Sequence, residues 1–133
     1  GYARGLPRNT DLVFDMRFLR NPHWEAALRP LTGLDPDVAR FIEADPAYAE
    51  VIGQIERLLL TLLARYGLEG KAYVTIAFGC TGGRHRSVHV AERVARHLAE
   101  HGFTPTLSHR DIETAGDKAG EMNEVSSQSR LTQ

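Results

Sequence analysis

The chain has 133 residues, 42% of them apolar and 25% charged, with a formal net charge of −1 from 16 basic and 17 acidic side chains. That suffices for one domain with one core and is too little for two, and no global basic field marks a nucleic-acid binder. A single cysteine excludes an internal disulfide, and no run resembles a signal peptide or a membrane span, so the reading is a cytoplasmic protein with no membrane partner. The chain opens on Gly1 rather than methionine, and Gly1 to Pro7 (GYARGLP) looks like mid-chain sequence, so a piece of something longer is expected.

After this glycine- and proline-broken opening, Asp11 to Leu19 (DLVFDMRFL) is the first strand candidate, with Leu12, Val13 and Phe14 as its buried centre. Asp15 and Arg17 come where the apolar centre stops. Arg20 to Gly33 shows no period and carries Arg20, Asn21, His23, Trp24, Arg29 and Thr32 around two prolines; read alone, it is either a solvated loop or part of a site. Asp35-Pro36 and Asp45-Pro46 each place a capping acid before a proline, which predicts a short helix from Pro36 to Glu43 and a long one from Pro46 to Tyr66, stopped by Gly67. The long helix sets Tyr48, Val51, Ile52, Ile55, Leu59, Leu62, Leu63 and Tyr66 on one stripe. Leu58 and Leu60 fall outside it, as wider core contacts or a subunit interface.

Tyr73 to Phe78 (YVTIAF) is short, continuous and rich in strand formers, which predicts a buried parallel strand. A glycine-broken loop, Gly79-Cys80-Thr81-Gly82-Gly83-Arg84-His85-Arg86, leads to a helix starting at Ser87. Val88, Ala91, Val94, Ala95 and Leu98 form its apolar stripe and Gly102 its end. Thr104 to Ser108 is a third strand candidate, with His109 and Arg110 at its end. From Asp111 the residues are small, polar and acidic, so 1–110 is expected to be the folded domain and 111–133 a flexible tail adding nothing to the core.

The loop before Ser87 carries most of the chemistry. A strand-to-helix turn aims unpaired amides and the positive end of a helix dipole at one point, and Gly82 and Gly83 let a ligand approach the chain. Arg84, His85 and Arg86 add donors whose planar forks match phosphate, so the expected ligand is a phosphate or carboxylate. Loops at the C-terminal ends of neighbouring parallel strands converge on one crevice, which brings the first-strand end and the Arg20 to Gly33 stretch towards this turn. His85 with His89, and His97 with His101, are spaced for metal ligation on a helix, but neither pair has a third ligand at a familiar spacing, so no metal or other cofactor is expected. Cys80 to Ser87 also reads C-x5-R-S, similar to the phosphate loop of protein tyrosine phosphatases, in which a thiolate attacks phosphorus and the arginine clamps its oxygens. A cysteine-dependent phosphatase is therefore an alternative, with Asp15 as the arguable acid; Gly79 stands where that motif has a histidine.

The segments GYARGLP, FDMRFLRNPHW, LRPLTGLD and above all IAFGCTGGRHRSVHVAERVA resemble the C-terminal domain of the RapZ (YvcJ) family, from about Gly1 to Arg110. The resemblance implies a phosphofructokinase-like pocket in a domain that follows a P-loop nucleotide-binding domain, and this sequence holds no GxxxxGK[ST] motif. It implies ligand contacts from Asp15, Arg17 and His23, and from Cys80, Thr81, Gly82, Gly83, His85 and Arg86. In the enterobacterial member the domain senses glucosamine-6-phosphate, binds small regulatory RNAs, oligomerises and serves an RNase adapter that partners a two-component system. Enterobacterial members end on a basic cluster, whereas here Asp111, Glu113, Asp117, Glu121 and Glu124 outnumber Lys118, so RNA affinity is expected to be weak.

The expected fold is a small single α/β domain with a core parallel sheet flanked by helices. The expected function is sensing a phosphorylated small molecule, an amino-sugar phosphate by resemblance, in a homo-oligomeric, non-enzymatic regulatory protein. The phosphatase and an RNA-binding module remain as alternatives.

Overall fold

In the computed structural model, which describes residues 9–113 and 123–128, the elements run β1 (Leu12–Asp15), a 3-10 turn (Pro22–Trp24), α1 (Pro36–Glu43), α2 (Tyr48–Leu68), β2 (Tyr73–Gly79), α3 (Arg86–Glu100), β3 (Thr106–His109), α4 (Arg110–Glu113) and β4 (Asn123–Gln128). The strands form one sheet in the order β1-β2-β4-β3. β1 runs parallel to β2, with Leu12 opposite Ile76 and Asp15 opposite Gly79, while β4 runs antiparallel to both β2 and β3. β1, β2 and β3 therefore share one direction, and the α/β fold with a parallel strand pair flanked by helices is as expected.

The correction lies at the C-terminal end. Far from adding nothing to the fold, part of the stretch from Asp111 onward is helical in α4, and Asn123–Gln128 fills the slot between β2 and β3. The physical reason is that a strand between two open edges is held by ladder hydrogen bonds that any non-proline backbone supplies, so a polar composition conceals it. The rest of that stretch lies outside the described residues.

Alternation along the strands decides what is buried. Val74, Ile76 and Phe78 are fully buried in the core with Ile52, Leu59 and Leu63 of α2 and Val90, Val94 and Leu98 of α3. Phe14 stacks on Phe78 with ring centroids 5.6 Å apart. Val13, expected in the buried centre, is instead 41% exposed, because its neighbours Leu12 and Phe14 take the core side. Leu58 is exposed and Leu60 packs partly against the core.

The long helix passes through Gly67 and ends at Leu68, one residue later. Gly70 takes φ +85°, and the N–H groups of Gly70 and Lys71 donate to the carbonyls of Gly67 and Tyr66 at 3.1 and 2.9 Å, a left-handed cap that only glycine enters cheaply. α1 is held against α2 and α3 by a polar seam as well as by Val38 and Ile42: the Tyr48 hydroxyl lies 2.9 Å from His89 Nε2, and Glu43 3.2 Å from the same nitrogen. Burial pushes the Tyr48 phenol up to about 12. Buried Glu56 accepts from Arg93 Nε at 3.2 Å. Among the described residues no helix is long and apolar enough to cross a membrane.

Candidate functional site

β2 ends at Gly79 and α3 begins at Arg86, so Cys80 to His85 form the turn between them. Gly83 takes φ +72°, which reverses the chain without a Cβ penalty. Gly82 is different, since a Cβ there would meet nothing within 4 Å. No packing among the described residues demands glycine at that position. The amide N–H groups of Thr81, Gly82 and Arg84 find no acceptor among the described residues, and His85, the N-cap of α3, makes no side-chain cap bond. The start of α3 thus presents open donors and the positive end of a 15-residue helix.

A cavity of about 350 Å³ lies over this turn, lined by Asn21, His23, Arg29, Cys80, Thr81, Gly82, Arg84, His85 and Arg86. Its second wall comes from the segment between β1 and α1, and the two walls are tied together. Gly33 N–H donates to the Arg84 carbonyl at 2.8 Å, and Arg84 Nη2 reaches the Pro30 carbonyl at 3.4 Å. His85 Nε2 lies 3.1 Å from the Leu28 carbonyl, and Arg86 Nη1 donates to the carbonyls of Arg17 and Leu19 at 3.1 and 3.0 Å. A Cβ on Gly33 would come within 2.3 Å of His85 O and 2.5 Å of His89 N, so only glycine allows this approach to the helix start. Three consecutive side chains expected to hold an anion therefore also hold the neighbouring loop.

Electrostatics follow from those bonds. Burial pushes His85 below the ordinary imidazole value, against the pull of the Leu28 and Leu31 carbonyls, so at neutral pH it is an uncharged donor. Arg86 is 5% exposed, and its Nε and Nη2 find no partner among the described residues. Cys80 is buried, its Sγ 3.2 Å from Ser87 Oγ and within hydrogen-bond reach. Asp15 accepts from Arg17 through Nε at 3.0 Å and Nη2 at 2.6 Å, and that guanidinium holds its carboxyl below the usual carboxylate range. An ionised, paired Asp15 is a poor proton donor for phosphoryl chemistry.

Of the expected site residues, His23, Cys80, Thr81, Gly82, Arg84, His85 and Arg86 share the cavity wall, while Ser87 stands behind Cys80 and Gly83 shapes the turn. Asp15 and Arg17 are not on the wall, although Asp15 is register-paired with Gly79, one residue before Cys80. Asn21 and Arg29 are on it, in a stretch whose lack of period hid which of its polar residues point inward. His109 ends β3 but turns to Glu92 of α3, 2.6 Å away, and takes no part in the cavity.

A parallel strand pair flanked by helices, with a strand-to-helix turn that carries open amides and has Arg84 and Arg86 beside it, makes this a small α/β domain with a cavity at the end of its parallel strands. The family model described as the RapZ C-terminal domain matches residues 1–113, and the chain belongs to that family. It is 71% identical over 115 residues to a nucleotide-binding protein of Sphingopyxis alaskensis, covering 86% of this chain and 36% of the relative. It is 60% identical over 111 residues to one of Rhizorhabdus wittichii and 59% over 112 residues to one of Zymomonas mobilis, each match covering 84% of this chain and 36% and 35% of the relative. The chain thus spans about a third of the length of the curated relatives it matches.

Proposed function

We propose that this domain is a regulatory, non-catalytic module that binds a phosphorylated small molecule, and within that class an amino-sugar phosphate such as glucosamine-6-phosphate. The observation that carries the reading is the set of open amides at Thr81, Gly82 and Arg84, beside the uncapped start of α3 and under Arg84 and Arg86. A phosphate there would receive backbone N–H bonds, the helix dipole and charged donors at once. Asp15, register-paired with Gly79, is the carboxylate that would meet an amino group, in competition with Arg17. Binding is favoured over phosphatase chemistry because the one carboxyl argued as an acid is held ionised. Ties to small RNA, an RNase or further copies of the chain rest on the family resemblance alone, and the near-neutral charge weighs against strong RNA binding by the isolated domain.

Calorimetry against glucosamine-6-phosphate, inorganic phosphate and glucosamine tests the reading. The sugar phosphate and phosphate should compete for one site while glucosamine alone stays silent; no heat from either phosphate would end the proposal. Asp15→Asn should spare phosphate and weaken glucosamine-6-phosphate, and an unchanged ratio of the two affinities would remove the amino-sugar part.

A further inference from the structure

The geometry points to Arg29 as the residue that reads the end of the ligand remote from the phosphate; this rests on the phosphate-site reading above and names its specificity wall. The cavity has two unlike sides. The turn side offers backbone amides, Arg84 and Arg86, all within a few residues of the start of α3. The opposite side, from the β1–α1 segment, offers Asn21, His23 and Arg29. Arg29 spends only Nε, which donates to the His23 carbonyl at 2.6 Å and ties the guanidinium to the 3-10 turn. Its Nη1 and Nη2 find no partner among the described residues. Asn21 likewise spends its Oδ1 on His23 N–H at 3.0 Å, which leaves its NH2 unbonded among the described residues.

That wall therefore presents donors and no carboxylate. It fits oxygen acceptors, meaning the hydroxyls and ring oxygen of a sugar, and a planar two-point donor selects their spacing where a single ammonium would not. The arm bearing these groups is held in place by Gly33 and by the carbonyl bonds from Arg84, His85 and Arg86, so its donors are pre-positioned. Phosphate affinity and sugar selectivity then belong to different elements of the chain.

The test is calorimetric titration of the 133-residue chain and its Arg29→Gln and Arg29→Lys variants with inorganic phosphate, glucose-6-phosphate and glucosamine-6-phosphate. Arg29→Gln should weaken both sugar phosphates about tenfold and leave phosphate within about twofold, the scale of one charged hydrogen-bond pair. Arg29→Lys should recover only part of that loss, since it keeps the charge without the fork. Trp24, the single tryptophan, lies in the same 3-10 turn, so unchanged emission in the ligand-free variants shows that the arm has not moved. Equal weakening of phosphate and sugar phosphates would make Arg29 another phosphate ligand and overturn the assignment, as would unchanged sugar-phosphate affinity in Arg29→Gln. A wild-type chain that binds none of the three would instead overturn the phosphate site itself, and this assignment with it.

Discussion

Arg86 has two roles that pull its expected mutant phenotype apart. One nitrogen closes the loop through the carbonyls of Arg17 and Leu19, and the others are available to a ligand. Arg86→Ala should therefore lower stability by about 1–3 kcal/mol, as stranded carbonyls do, in addition to weakening phosphate binding. Chemical denaturation and calorimetry on the same variant check both effects, and an alanine variant with wild-type stability would contradict the loop-closing role. Cys80 presents the opposite case. Its buried thiol, beside the Ser87 hydroxyl, lines the site, and a binding site needs its bulk more than its nucleophilicity. Cys80→Ser should keep phosphate binding, with no phosphate release from a phosphomonoester by either form. Release by the wild type that vanishes in the serine variant would favour catalysis instead.

Between elements, the contact that matters most is the one made by a residue with no side chain. Gly33 places the β1–α1 segment directly on the first turn of α3, where a methyl group would overlap backbone atoms of His85 and His89 that cannot yield separately. Gly33→Ala should cost about 3 kcal/mol or more as the loop is forced off the helix, and should abolish sugar-phosphate binding by opening the cavity. A melting curve and a titration together test this. Alanine tolerated at wild-type stability would mean that the two walls are not rigidly joined. Gly82→Ala is the control at the same turn, since nothing within 4 Å meets its Cβ. It should leave stability nearly unchanged while obstructing a ligand that approaches the chain.

For the molecule as a unit, buried imidazoles set the pH response. Burial holds His85 and His89 below the ordinary value of 6.5, with Glu43 pulling His89 back up only in part. Above that value both are neutral whether folded or unfolded and contribute nothing. As pH falls through about 6.5 the unfolded chain takes up protons that the folded chain resists, so stability declines. Asp11 and Asp15 are held below 3.8, by Thr75 and Lys71 against burial in the first case and by Arg17 in the second. Their contribution is present above that value and is lost only as pH falls through their folded pKa, well below the histidine window. The unfolding midpoint should thus be level between about pH 8 and 7 and fall from about 6.5 towards 5. A midpoint constant down to pH 5 would show that neither histidine is held neutral by the fold.

Helix α1, the helical stripe from Tyr48 to Leu63, strand β2 and the turn into α3 were legible in the linear sequence, because each is encoded locally by caps, periodicity and glycines. So was the convergence of His23 with Cys80 to Arg86, which follows from parallel strands ending on one side. What pairing and packing decided was hidden there. β4 has no apolar pattern to betray it, and its place depends on the open edges of β2 and β3. Whether Asp15 faces a ligand or Arg17, whether Arg29 points into the cavity, and whether Arg86 serves the ligand or the loop are questions of direction in space. Residue type limits the bonds a side chain can make, but only the fold determines which partners lie within 3 Å of it.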